Sequence, residues 1–170
     1  MLNSAPRQAG KYKQGIFYPK NKDKVIKLNS KGGLYYRSGL EHKMMIYFDN
    51  NEKIRKWGAE HLRIPYQKTD WVSEKQSYET TEHGYYPDFY YELLREDGSV
   101  SKVVVEVKPK SETVEPKMSQ NPTAKQMKNF EYAIKMYNKN LSKWNYMIEY
   151  CNRKGFKFII VTEETLSKIS

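Results

Sequence analysis

Residues 85–111 read YYPDFYYELLREDGSVSKVVVEVKPKS, two runs of aromatic and β-branched residues on either side of Glu96-Asp97-Gly98. Such runs around a glycine-containing turn specify an antiparallel hairpin, and its register decides which side chains share a face. A two-residue Asp97-Gly98 loop would set Asp88 opposite Val107. A three-residue loop with Gly98 in the left-handed conformation of a bulge sets Asp88 opposite Glu106, on the same face as Lys108. The other face then carries Phe89, Tyr91 and Leu93 against Val103, Val105 and Val107, an apolar surface fit for a core. A slip of one residue would mix charged and apolar side chains on both faces, so the pattern selects the three-residue loop. Two acids and a lysine are thereby gathered on one face of otherwise core-forming strands.

The surrounding charge is uneven. The chain of 170 residues carries a net +10, but residues 1–34 contribute +7 and residues 35–107 contribute −3. Residues 108–143 contribute +5 and the remainder +1. A mildly acidic stretch containing the hairpin is thus bracketed by two basic ones, a layout suited to a polyanion held around a site that itself takes cations. Lysines kept for solubility are the plain alternative. The length suits one domain with a single core. No apolar run approaches the roughly 18 residues of a membrane span, and no secretory leader is visible. One cysteine, Cys151, excludes a disulfide framework or a cysteine-rich zinc site, and His42, His61 and His83 lack ligand spacing.

Residues 1–33 lack periodicity and read as a basic arm, disordered or extended over a domain of residues 34–170. Tyr12, Phe17 and Tyr18 interleave with its lysines, either for nucleic-acid contact or to pin the arm to the core. Ser38 and Glu41 form a capping-box pattern before a helix with Leu40, Met44, Tyr47 and Phe48 on its apolar face, stopped at residues 49–51. Residues 56–67 read as a strand and 68–84 as a polar loop. After a proline-containing loop, Met127, Phe130, Ile134, Tyr137, Leu141, Trp144, Ile148 and Cys151 recur at steps of three and four, predicting a core-facing helix, either continuous or broken in two near residues 137–140. Gly155 suits its C-terminus, FKFIIVT a buried strand, and EETLSKI a short last helix. The order describes an α/β fold, a mixed sheet flanked by helices.

Two carboxylates opposed across a hairpin repel, and each is pushed toward its neutral form unless a cation lies between them. Mg²⁺ takes one or two protein carboxylates together with waters and substrate phosphate. A neighbouring lysine orients or helps deprotonate a water and neutralises charge developing on phosphorus. Asp88, Glu106 and Lys108 are therefore a candidate phosphodiester-hydrolysis site, with Glu41 either a third carboxylate or simply the capping glutamate.

The stretches that carry this site resemble a known family. Pro87-Asp88 followed by Glu106-Val107-Lys108 matches the PD-(D/E)XK nuclease pattern. With YRSGLE, IPYQ, YYPDFY, VVVEVKPKS and the KW…YCNRKGFKFIIVTEETL segment around it, the chain resembles the head-completion nucleases of large tailed phages. Those are similar in turn to TnsA-type transposon endonucleases. The resemblance implies a restriction-endonuclease-like core with Glu41, Asp88, Glu106 and Lys108 in the active site. It implies a metal held by Asp88, Glu106, the Val107 carbonyl and Glu41, with Mg²⁺ as cofactor and Mn²⁺ as a substitute. DNA is the implied partner, contacted by Lys11, Lys13, Lys20, Lys22, Arg37, Lys110 and Lys143. Phage portal or head proteins and a second copy of the chain are further candidate partners, with no membrane involved. The implied setting is the host cytoplasm during assembly, or the virion. Two other readings compete: a virion assembly factor that keeps the fold as a DNA-end or portal clamp without cutting, and an RNA-binding module, which lacks the aromatic strands such modules use.

Overall fold

The structure, a computed structural model, describes residues 13–167, with the backbone but not the side chains of residues 70–72. Its centre is the hairpin. Strands β6 (Phe89–Leu94) and β7 (Val100–Val107) pair in the register of the three-residue loop, with Phe89 opposite Val105 and Leu94 opposite Val100. Gly98 takes φ +81°, and its N–H donates to the Arg95 carbonyl at 3.0 Å. Strand β3 (Ile54–Ala59) joins β6 antiparallel, and β8 (Lys157–Val161) joins β7 parallel, giving the mixed order β3-β6-β7-β8. A parallel neighbour requires a long crossover, supplied here by helix α2 (Ala124–Lys154).

Both faces of the sheet are covered. Phe89, Val103, Val105 and Val107 meet Met44, Met45 and Phe48 of helix α1 (Gly39–Asn50). On the other face, Tyr90 and Val104 meet Met147 and Cys151 of α2. The acid-bearing face is therefore an interior one.

Residues 56–67 and 68–84 differ from expectation. The anticipated single strand is broken at Glu60, whose φ is +46°. Its second part begins a longer hairpin, β4 (Ile64–Val72) with β5 (Ser77–Tyr85), where a loop was expected. Polar side chains such as Thr69 and Thr80, which pair across this ribbon at 2.8 Å, hide the alternation that marks a half-buried strand. Helix α2 is continuous through residues 137–140, and its buried row is Asn140, Trp144, Met147 and Cys151. Met127, Leu141 and Ile148 of the expected stripe are 46%, 37% and 44% exposed. A 31-residue helix is about 46 Å long, against about 26 Å for a strand the length of β7, so its first half outruns the sheet. Thr123 and Gln126 close a full capping box at its start. The chain ends in the expected short helix, α3 (Glu163–Leu166).

The described part of the arm lies on the body. Strand β1 (Gly15–Phe17) pairs with β2 (Leu34–Tyr36), Val25 enters the α1-side core, and Phe17 packs against it while Tyr18 stays exposed. Buried Asp49 fastens this segment: its two carboxylate oxygens accept the Lys20 and Asn21 amides at 2.8 and 3.0 Å. Lys24 Nζ meanwhile donates to the Asp49 and Asn51 carbonyls at the end of α1. Asp49→Ala leaves two amides without acceptors, and urea unfolding should show a loss of about 3 kcal/mol. A change under about 0.5 kcal/mol would mean water replaces the carboxylate freely.

Candidate active site

Asp88 sits one residue before β6, where the chain bends out of the sheet, and Glu106 is the penultimate residue of β7. The Val107 amide donates to Asp88 Oδ2 at 2.7 Å, and the Glu60 amide to the Asp88 carbonyl at 3.0 Å. These bonds hold Asp88 beside the end of β7. Glu106 is 5% exposed. Its Oε1 lies 3.2 Å from Lys108 Nζ, and its Oε2 accepts the Tyr85 hydroxyl. Glu106 therefore does not stand on a solvated strand face.

Burial raises the Asp88 carboxyl well above the usual range, and the charges of Glu106 and Glu41 push the same way. Lys108 and the Val107 amide offset only part of this. Burial works against the charge of Lys108, yet Glu106 and Asp88 outweigh it and hold the ammonium above its ordinary pKa. Tyr85 is kept protonated by burial and by Glu106. Around Asp88 the charges of Glu106 and Glu41 are set against that of Lys108.

Glu41 is reached from the other layer. Its amide donates to Ser38 Oγ at 3.1 Å, but its carboxylate accepts the Arg37 amide at 2.9 Å rather than closing the box on Ser38. Burial raises its pKa, opposed by the Arg37 and Ser38 contacts. Arg37 is in turn paired with Glu60 through its two terminal guanidinium nitrogens. A cleft of about 510 Å³ runs from Arg37, Glu41 and Lys43 to Val107, Lys108 and Glu112. Among the described residues no three or more His, Cys, Asp or Glu groups converge as a metal cage. Glu41 acts on Asp88 through its charge. A frustrated pair of carboxylates fits a hard divalent cation that completes its shell with water and phosphate.

Of the anticipated basic contacts, Lys143 has its Nζ 5.2 Å from the Tyr85 ring centre; burial and the charge of Lys139 lower its pKa, partly offset by Glu106 and Asp88. Lys110 Nζ is 3.4 Å from Glu164. Lys13, Lys20 and Lys22 are exposed on the arm, and Lys11 lies outside the described residues. The contact of Tyr85 with Glu106 and the Arg37–Glu60 pair were not legible in the sequence. The signal for Tyr85 was its place two residues before Pro87-Asp88, masked by reading residues 68–84 as a loop.

The raised Asp88 pKa has a consequence for stability. Its protonated form favours the fold, so its contribution is full below the ordinary value of 3.8 and is lost as pH rises through the folded-state value. Asp88→Asn, uncharged throughout, should be more resistant to urea than wild type at pH 7 in EDTA. The gap should close toward pH 3. A variant weaker than wild type at neutral pH would show that Asp88 is not under electrostatic strain.

The chain matches the family described as TnsA-like endonuclease N terminal over residues 51–163. That domain has the restriction-endonuclease-like fold, in agreement with the mixed sheet found here. The chain is also similar to the head completion nuclease of Enterobacteria phage T4, with 29% identity over 152 residues, 89% of this chain and 92% of that protein. Among the described residues no helix is long and apolar enough to cross a membrane.

Proposed function

The chain belongs to the TnsA-like endonuclease N-terminal family, and from that premise we propose that it hydrolyses phosphodiester bonds in DNA with the help of a divalent cation. The observation that carries this reading is the Asp88–Glu106 pair, electrostatically frustrated and flanked by Lys108. Asp88, Glu106 and the Val107 carbonyl would hold Mg²⁺ or its substitute Mn²⁺, with Glu41 as the outer carboxylate. The cation, when bound, would polarise the scissile phosphate and lower the pKa of a water. Lys108, charged and held at 3.2 Å from Glu106, stabilises the negative charge that develops on the phosphate oxygens. Its raised pKa suits that electrostatic role better than proton abstraction.

Arg37 beside the cleft and Lys143 on α2 would contact DNA phosphates, with Lys13, Lys20, Lys22 and Lys110 as further candidate contacts and Lys11 outside the described residues. Such contacts position DNA without reading its sequence. The likeness to the phage head completion nuclease supports a role in finishing DNA-filled heads in the host cytoplasm, where portal or head proteins and a second copy of the chain are the candidate partners.

Supercoiled plasmid tests the reading. Wild-type protein should nick it in Mg²⁺ or Mn²⁺ and leave it intact in EDTA. Plasmid bound but uncut in either metal would turn the reading to a DNA-end or portal clamp. Cutting that persists in EDTA would refute the cation.

A further inference from the structure

Tyr85 closes β5 at the base of the β4–β5 hairpin, paired with Ile64, and is 6% exposed. It packs among Tyr66, Tyr90, Val104 and Met147. A buried tyrosine needs an acceptor for its hydroxyl, and this one donates to Glu106 Oε2. The other oxygen of Glu106 faces Lys108. The last torsion of a glutamate is soft, so two different partners on its two oxygens set the plane of the carboxylate. The ring of the same tyrosine lies under an ammonium: Lys143 Nζ, arriving from α2, is 5.2 Å from its centre, within range of a cation–π contact. Lys143 is partly buried there and feels the charges of Glu106 and Asp88. One side chain thus touches groups from β7 and α2 that no local pattern brings together.

We propose that Tyr85 is a positioning residue with two separable parts, its hydroxyl orienting the Glu106 carboxylate for turnover and its ring placing Lys143 against a phosphate of bound DNA. The proposal rests on the endonuclease reading above. Loss of the hydroxyl frees the Glu106 carboxylate to rotate and leaves one buried lone pair unmet. Loss of the ring releases a long lysine side chain to solvent.

Tyr85→Phe removes the hydroxyl alone, Tyr85→Leu removes both parts, and Lys143→Ala is the reference for the ring. Nicking of supercoiled plasmid in Mg²⁺ gives kcat and KM, and fluorescence anisotropy of a labelled duplex in EDTA gives affinity without cutting. Tyr85→Phe should lower kcat by about 10- to 100-fold, the usual effect of losing a partner that orients a metal-site carboxylate, with KM and duplex affinity unchanged. Tyr85→Leu should show the same fall in kcat and also lose affinity by about three- to tenfold, matching Lys143→Ala. Adding Lys143→Ala to Tyr85→Leu should cost nothing further in affinity. A purely structural tyrosine would instead scale all three readouts with the folded fraction seen by circular dichroism. Wild-type kcat in Tyr85→Phe overturns the hydroxyl's role, and equal affinity of the Phe and Leu variants overturns the ring's. If Tyr85→Leu does not fold, Lys143→Ala decides the ring: unchanged duplex affinity overturns it. Wild type that nicks normally beside a normal Tyr85→Phe sinks the hydroxyl's role and leaves the endonuclease reading standing, whereas wild type that never nicks removes that reading with it.

Discussion

Glu106→Ala should abolish plasmid nicking, by at least about three orders of magnitude, and weaken Mg²⁺ binding in the same variant. Removing one electrostatic or acid–base group costs about 10²- to 10⁴-fold, and Glu106 is placed to serve as a metal ligand as well. The substitution also strands its neighbours. The buried Tyr85 hydroxyl loses its acceptor and Lys108 loses the carboxylate at 3.2 Å, so some loss of stability accompanies the loss of activity. Glu106→Gln separates the two. It keeps the volume and a hydrogen-bond acceptor for Tyr85, so its melting temperature should stay near wild type while nicking and calorimetric Mg²⁺ affinity both fall. A Gln variant that cuts within tenfold of wild type would falsify the placement of the cation between Asp88 and Glu106.

Lys108→Ala should part catalysis from metal binding. It deletes a positive charge beside the carboxylates and no proposed ligand, and its backbone bond to the Val161 carbonyl at 3.0 Å is retained. Nicking should fall by about two orders of magnitude, while Mg²⁺ affinity holds or rises, since a competing cation has gone. The pH profile adds a check. Glu106 and Asp88 outweigh burial and raise the lysine's pKa, so wild-type nicking should show no decline attributable to Lys108 below its ordinary value of 10.5. An acidic limb near neutrality, with nicking rising as the lysine loses its proton and absent in Lys108→Arg, would make the lysine a proton acceptor instead. Near-normal nicking by Lys108→Ala would remove it from the mechanism altogether.

Much of this site could be read from a short stretch of chain. The loop Glu96-Asp97-Gly98 and the alternation on either side of it set one register, and that register puts Asp88 next to the end of β7 with Glu106 and Lys108. Hairpin pairing is local: the turn chemistry and the side-chain pattern lie within a few residues of the groups they align. The α1 cap at Ser38 was legible for the same reason. Its partner Glu41 was legible as a residue but not as a contact, because the carboxylate reaches past Ser38 to the Arg37 amide.

What the tertiary structure decided is whatever depends on segments meeting across the sheet. The rotation of α2 is one case. Its apolar positions at steps of three and four are compatible with several buried rows, and the contact with Tyr90 and Val104 selects Met147 and Cys151 while leaving Leu141 and Ile148 open. The same contact brings Lys143 over the Tyr85 ring. Tyr85 itself reaches Glu106 only because polar residues 68–84 form a ribbon whose base returns to the core. The sequence alone determined the acid pair and its lysine through a local turn and a two-residue period. The tyrosine and second lysine around that pair were decided by long-range packing, where the burial of one helix face against one sheet face outweighs any preference the local residues express.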